Sequence, residues 1–186
     1  QTVQRHAGAK IETSETEHYM RSNLDESYRL DFLLKARQLK LISNLQLVYP
    51  ITRGKTGKYK IRGLTLSSET IQKSIDNFAI ALGYIAHLVL LLTKYLQKPL
   101  RYPILYGASR SYITDPCTES SSGMAYTLPL FWRGSNSERE KIDLAILWLK
   151  RDIEQILSVL DVHDTVVREG EILSSLYEVL RPYQSF

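Results

Sequence analysis

Between Asp76 and Gln97 the chain reads Asp-Asn-Phe-Ala-Ile-Ala-Leu-Gly-Tyr-Ile-Ala-His-Leu-Val-Leu-Leu-Leu-Thr-Lys-Tyr-Leu-Gln. Phe78, Leu82, Ile85, Val89, Leu92 and Leu96 recur at alternating steps of four and three, the spacing of one helix face. Tyr84, Leu88, Leu91 and Tyr95 make a second apolar stripe beside it, leaving a narrow polar strip of Asp76, Gly83, His87 and Lys94. A helix apolar on most sides is covered on most sides. At ~1.5–3 kcal/mol for each large side chain buried, this segment carries a large share of the folding free energy, and the rest of the chain must be arranged to cover it. The apolar run from Phe78 to Leu92 is shorter than the roughly 20 residues a bilayer requires. It also contains His87 and is followed by Lys94 and Lys98, so it reads as a core helix and not a membrane span.

The chain has 186 residues, enough for one domain with a real core plus an extension. A net charge of +4 is too small to point to nucleic acid. Its distribution is uneven: Lys35, Arg37, Lys40, Arg53, Lys55, Lys58, Lys60 and Arg62 fall in a stretch without Asp or Glu. Such a run suits an anionic membrane or an acidic partner, and equally a solvated surface. Cys117 is the only cysteine, which rules out a disulfide within the chain and suits a reducing, cytoplasmic setting. The opening residues do not read as a secretory leader. The start at Gln1 reads as a piece of something longer.

Residues 1–23 are polar and rich in Thr and Glu, and are expected to be a disordered or linking segment. Residues 24–44 favour helix; Leu34, Leu41 and Val48 stand seven apart and Phe32 and Leu39 repeat the interval, as at the end of a coiled coil or in a short amphipathic helix lying on its own domain, which the spacing alone favours. Residues 45–186 read as an α+β domain. Alternation of Leu45, Leu47, Tyr49 and Ile51 predicts a strand, paired across a Gly54–Gly57 turn with Tyr59–Leu66, in which Gly63 marks a bulge. Ser74 is a candidate N-cap for the buried helix, and Pro99 ends it. Leu100–Tyr106 predicts a strand, Asp115–Gly123 a mobile loop, and Leu128–Trp132 a short edge strand. Two overlapping capping boxes, Ser135 with Glu138 and Ser137 with Glu140, precede a helix with Ile142, Ile146, Leu149, Ile153, Ile156 and Leu160 inward. Lys141, Lys150, Arg151, Asp152 and Glu154 are placed on its outer face. A last helix opens at Glu169 or Glu171 and ends near Arg181, with Ile172, Leu176, Val179 and Leu180 inward.

No catalytic constellation emerges, and no cofactor or metal is implied. Gly54-Lys55-Thr56 lacks the earlier glycine of a phosphate loop, since Tyr49 fills that position, and no helix follows. Ser109 lacks the second glycine of a nucleophile elbow, Ser111 standing there. His6, His18, His87 and His163 have no zinc spacing. Cys117 has no histidine nearby in sequence, and Asp143, Asp152 and Glu154 read as solvated surface acids.

Taken together, several segments resemble the UVRAG family, the endosomal subunit of the class III phosphatidylinositol 3-kinase complex. They are Val48-Tyr49-Pro50-Ile51, Ala81-Leu82-Gly83-Tyr84-Ile85-Ala86-His87-Leu88, Pro99-Leu100-Arg101-Tyr102-Pro103-Ile104 and Gly107-Ala108-Ser109-Arg110-Ser111. Leu128-Pro129-Leu130 and the stretch from Ile142 to Gln155 fit more loosely. Order and spacing agree from about Arg37 to Leu180. The resemblance implies a β-α repeated (BARA-like) domain of small antiparallel sheets and helices around the buried helix. It also implies a non-catalytic adaptor acting in autophagy and endosomal trafficking, peripheral on endosomal and autophagic membranes. Its partners would be a Beclin-like chain, the class III kinase and that kinase's regulatory kinase-like subunit. On this reading Leu34, Leu41, Arg101 and Arg110 are candidate partner contacts. Phe131, Trp132 and Arg133 would form an aromatic tip at an anionic membrane, joined by the basic hairpin residues Arg53, Lys55, Lys58, Lys60 and Arg62; the residues themselves favour the other reading, Phe131 and Trp132 packed under the last sheet. The alternative is a stand-alone lipid- or peptide-binding domain outside any kinase complex.

Overall fold

The computed structural model describes residues 2–66, 74–119, 125–135, 138–162 and 171–181. It divides into two units, Gln1–Lys40 and Leu41–Phe186. One helix, α1 (Thr2–Val48), supplies the first unit and opens the second. This corrects two expectations. Residues 2–23 are helical and not a loose tail: the stretch holds no proline and is rich in Ala, Glu, Gln, Lys and Arg, which favour helix even without an apolar face. The period also does not change at Leu45. Ile42, Leu45 and Tyr49 are buried at steps of three and four while Leu47 is 83% exposed, which is helical and not strand alternation.

Among the described residues, the second unit holds two small antiparallel sheets and the helices that cover them. β1 (Ile51–Arg53) pairs with β2 (Tyr59–Ile61) in the register Ile51↔Ile61, Thr52↔Lys60 and Arg53↔Tyr59. Ile51 and Ile61 are buried, whereas Thr52 and Lys60 lie on the opposite, exposed face. The flip of alternation at Gly63 is a tight turn and not a bulge. Arg62 and Gly63 both have positive φ, 47° and 84°, and Ile61 and Leu64 exchange backbone hydrogen bonds across them.

α2 (Ile75–Leu96) is the helix that organises this unit. Ser74 caps it, its side chain accepting the Asn77 N–H at 3.3 Å, and Gln97 closes it in the left-handed region. Phe78, Leu82, Ile85, Leu88, Val89, Leu92 and Leu96 are all buried. By length and composition alone the helix would pass for a membrane span, but 56% of its apolar window is covered within the protein. Gly83 sits where the next connection crosses: a Cβ there would stand 2.4 Å from the carbonyl oxygen of Ala108.

That connection leads to β3 (Ile104–Leu105), a 3-10 turn at Ala108–Arg110, β4 (Tyr112–Glu119) and β5 (Ala125–Pro129), ordered β3-β4-β5. The strand foreseen over Leu100–Tyr106 shrinks to two residues, because Pro99 and Pro103 have no N–H for a ladder. Asp115–Glu119 is strand and not loop. The register slips between Asp115 and Glu119, so Pro116 sits at an irregularity that tolerates it. The Asp115 carboxylate holds the kink by accepting the Cys117 N–H at 2.9 Å and the Thr118 hydroxyl at 2.7 Å, and these bonds lower its pKa. β5 is an edge strand, placed three residues earlier than its apolar run suggests.

α3 (Arg139–Val159) buries Ile142, Ala145, Trp148, Leu149, Ile153, Ile156 and Leu157. Glu138 stands at its N-cap position without a side-chain cap bond; the box from Ser137 lies outside the described residues. α4 (Ile172–Leu180) opens after Glu171 and buries Ile172, Leu176, Val179 and Leu180, as their spacing predicts. Tyr177 packs on Tyr59, ring centroids 5.2 Å apart, tying α4 to the hairpin. The connection at 163–170 and Pro182 lie outside the described residues.

Candidate interaction surfaces

In the first unit, Tyr19, Met20, Leu24, Tyr28, Leu30, Phe32, Leu33 and Leu34 are all exposed, between 46% and 69%. Large apolar groups in such density on an uncovered helix are not the scattered surface residues normal in a soluble protein. Their positions go round the helix and are not confined to one stripe, so more than one neighbouring element is needed to cover them. Leu34, a predicted partner contact, belongs to this set; Leu41, in the second unit, is half-buried.

The basic hairpin is less uniform than its sequence suggests. Arg62 works inside the fold. Its guanidinium donates to the Val48 carbonyl at 2.8 Å, placing a positive charge on one of the free carbonyls that end α1, and lies 5.3 Å over the Tyr84 ring. Arg53 leans on Tyr59 at 5.9 Å. Lys55, Lys58 and Lys60 are exposed along the tip and outer face, with Thr52 and Thr56 beside them.

Beside Arg62 lies a cluster of rings. The Tyr49 hydroxyl and His87 Nδ1 are hydrogen-bonded to each other, and His87 stacks on Tyr106 at 4.5 Å. Burial raises the pKa of the Tyr49 phenol, with Tyr106 and Tyr84 adding and Arg62 opposing. His87 is a partnered residue within this cluster. Leu105 and Tyr106, just beyond, remain 56% and 48% exposed.

Phe131 and Trp132 are not an exposed tip. Phe131 is only 6% exposed and meets Tyr112 edge-on at 5.3 Å, while Trp132 packs against the core and donates its Nε1–H to the Ser135 carbonyl at 2.8 Å. The apolar run around them reads more readily as packing under the last sheet than as a tip, and burial decides for core. Arg133 is exposed, 5.3 Å over the Phe131 ring. Arg110 sits exposed in the 3-10 turn held by Ser111, whose hydroxyl accepts the Gly107 N–H at 3.1 Å and donates to the Ala108 carbonyl at 2.8 Å.

Arg101 belongs to a strap, residues 99–102, that joins α2 to β3. Its backbone N–H donates to Gln155 Oε1 at 3.1 Å, and Gln155 Nε2 donates to the Pro99 carbonyl at 2.8 Å. Next to it, the Tyr102 N–H donates to Asp152 Oδ1 at 3.0 Å, and the Tyr102 ring stacks on Trp148 at 4.9 Å. The outer-face assignment of Asp152 is therefore wrong: it is fully buried. The signal was present, since Asp152 stands three after Leu149 and four before Ile156, within the inward stripe. Burial pushes its pKa up to about 7, against the opposing effects of the Tyr102 and Arg101 backbone groups and the Arg101 charge. Among the described residues no group of three or more His, Cys, Asp or Glu side chains is placed to hold a metal ion.

The chain is 36% identical over 125 residues to the UV radiation resistance-associated protein of Mus musculus, covering 66% of this chain and 18% of that protein. It is 34% identical over 128 residues to vacuolar protein sorting-associated protein 38 of Schizosaccharomyces pombe, covering 67% of this chain and 26% of the relative. With the UV radiation resistance-associated gene protein of Drosophila melanogaster the identity is 28% over 179 residues, or 84% of this chain and 25% of the relative. The chain thus spans about a quarter or less of the length of these proteins. No family model matches it.

Proposed function

Since the chain belongs to the UV radiation resistance-associated (UVRAG) family, we propose that it is part of a non-catalytic regulatory subunit of the class III phosphatidylinositol 3-kinase complex. Its work is in vacuolar and endosomal sorting and in autophagy. The observation that carries this reading is the uncovered helix of the first unit: eight large apolar side chains from Tyr19 to Leu34 face solvent. Burying each is worth ~1.5–3 kcal/mol, so a helical partner gains strongly by covering one face of them, with other elements left to cover the rest. We assign that partner as a Beclin-like chain, with the kinase and its ATP site on other chains. The succession of hairpin with α2, then three-stranded sheet with α3, is read as two of the sheet-and-helix repeats of a BARA-like domain. Lys55, Lys58 and Lys60 are all exposed and would draw the protein toward anionic membrane, each contributing at most ~1 kcal/mol near the surface.

Co-purification tests the reading. The full-length protein, expressed with a Beclin-like chain and the class III kinase, is expected to elute with both. A second reading, a stand-alone lipid-binding domain, is favoured by the basic hairpin. A monomer that binds anionic vesicles and neither protein would select it and reject the first.

A further inference from the structure

Asp152 is buried, and its two oxygens are used unequally. Oδ1 accepts the Tyr102 N–H at 3.0 Å, while Oδ2 is buried without a hydrogen-bond partner. A buried carboxylate with one oxygen unmatched strongly favours the form that carries a proton. The residue does not act alone. Gln155, one turn on, brackets the same strap through Pro99 and Arg101, so α3 grips the backbone of residues 99–102 at three points. The strap runs directly into β3 and the solvent-facing Leu105 and Tyr106.

We propose that Asp152 is a proton-operated latch: the closed strap keeps water from the carboxyl, and once ionised Asp152 gains more from hydration on opening than it loses in its bond to the Tyr102 N–H, so that loss of the proton loosens the strap and the β3 segment that follows. The charged groups around it fit this role. On the strap, Arg101 is the one charge that acts on Asp152, and it acts on Asp115 of β4 as well. β5 contributes the Tyr126 phenol, on a ring 6.0 Å from Trp148. At the end of α2, Lys94 and Lys98 are exposed. On α3 itself Arg151 and Glu154 pair with each other at 3.0 Å, in solvent, and on α4 Glu178 pairs with Arg181 at 3.6 Å. None of these neutralises the buried Oδ2.

The direction follows from linkage. The folded pKa of about 7 lies above the ordinary value of 3.8. The latched state therefore binds the proton more tightly than the open state, and latching weakens as pH rises through about 7. Between about pH 6 and about pH 8 the opening equilibrium shifts about tenfold toward the open state.

The test is amide hydrogen exchange of the whole chain, corrected for intrinsic rates. The protection of the Tyr102 amide is expected to fall about tenfold from about pH 6 to about pH 8. Asp152→Asn, which keeps an acceptor for Tyr102 but cannot ionise, is expected to hold that protection constant. No fall in the unaltered protein overturns the proposal without reference to any variant. An equal fall in Asp152→Asn also overturns it, by assigning the effect to another group.

Discussion

Replacing Gly83 by alanine sets two effects against each other, and the structure says which wins. Helix propensity favours the change: glycine inside a helix costs about 1 kcal/mol relative to alanine. The contact opposes it. The new Cβ would lie 2.4 Å from the Ala108 carbonyl oxygen and 2.7 Å from its carbon. Ordinary contact begins near 3.4 Å, so α2 or the 3-10 turn must retreat by about 1 Å. The clashing atoms are backbone and cannot be moved by a change of rotamer. Ser111 also pins the turn through two hydrogen bonds. Overpacking of this kind costs about 1–3 kcal/mol, and the rigid neighbour places Gly83 at the upper end. The net expectation is a loss of about 2 kcal/mol, a fall of about 1 M in the urea midpoint at a slope of about 2 kcal/mol per molar. Urea unfolding followed by far-ultraviolet circular dichroism reads this directly. If Gly83→Ala is as stable as the parent, or more so, the reasoning that α2 is crossed at that point is refuted.

Further consequences can be checked with the same protein. Phe131→Ala should lower stability by about 3 kcal/mol, visible as a lower melting temperature; an unchanged melt would restore the exposed-tip reading. Exchanging Lys55, Lys58 and Lys60 for Glu should abolish binding to anionic vesicles without altering the melt, and raising salt should weaken binding by the unaltered chain; indifference to both charge and salt counts against a membrane role for the hairpin. Ser74→Ala should cost about 1 kcal/mol by removing the cap of α2, and a neutral result would mean the bond to Asn77 contributes nothing.

What could be read from the sequence was what periodicity encodes. α2, its cap at Ser74 and the inward residues of α4 follow from spacing alone, because a helix that must be buried repeats its apolar residues wherever it is covered. The extent of α1 was not legible, since its N-terminal part, before Tyr19, is mostly polar, leaves no apolar repeat and differs from a loose segment only in propensity. Pro116 and its serines suggested a loop, yet a strand can carry a proline where its ladder slips. Asp152 was misplaced for a different reason: residue type was weighed above position, and a carboxyl within an inward stripe is a buried carboxyl. The hairpin charges were seen together, but the capping role of Arg62 depends on a turn that brings it back to Val48. No local pattern announces that contact.

The central claim is that the apolar residues from Tyr19 to Leu34 form a surface for partner elements, and that a helix of a Beclin-like chain is one of them. Multi-angle light scattering on the purified chain mixed with the coiled-coil segment of a Beclin-like protein measures this most directly. The account predicts a stable species with the mass of one copy of each, lost when Leu30 and Leu34 are both replaced by Asp. Two separate species at their individual masses, under conditions where both chains are folded, would contradict it.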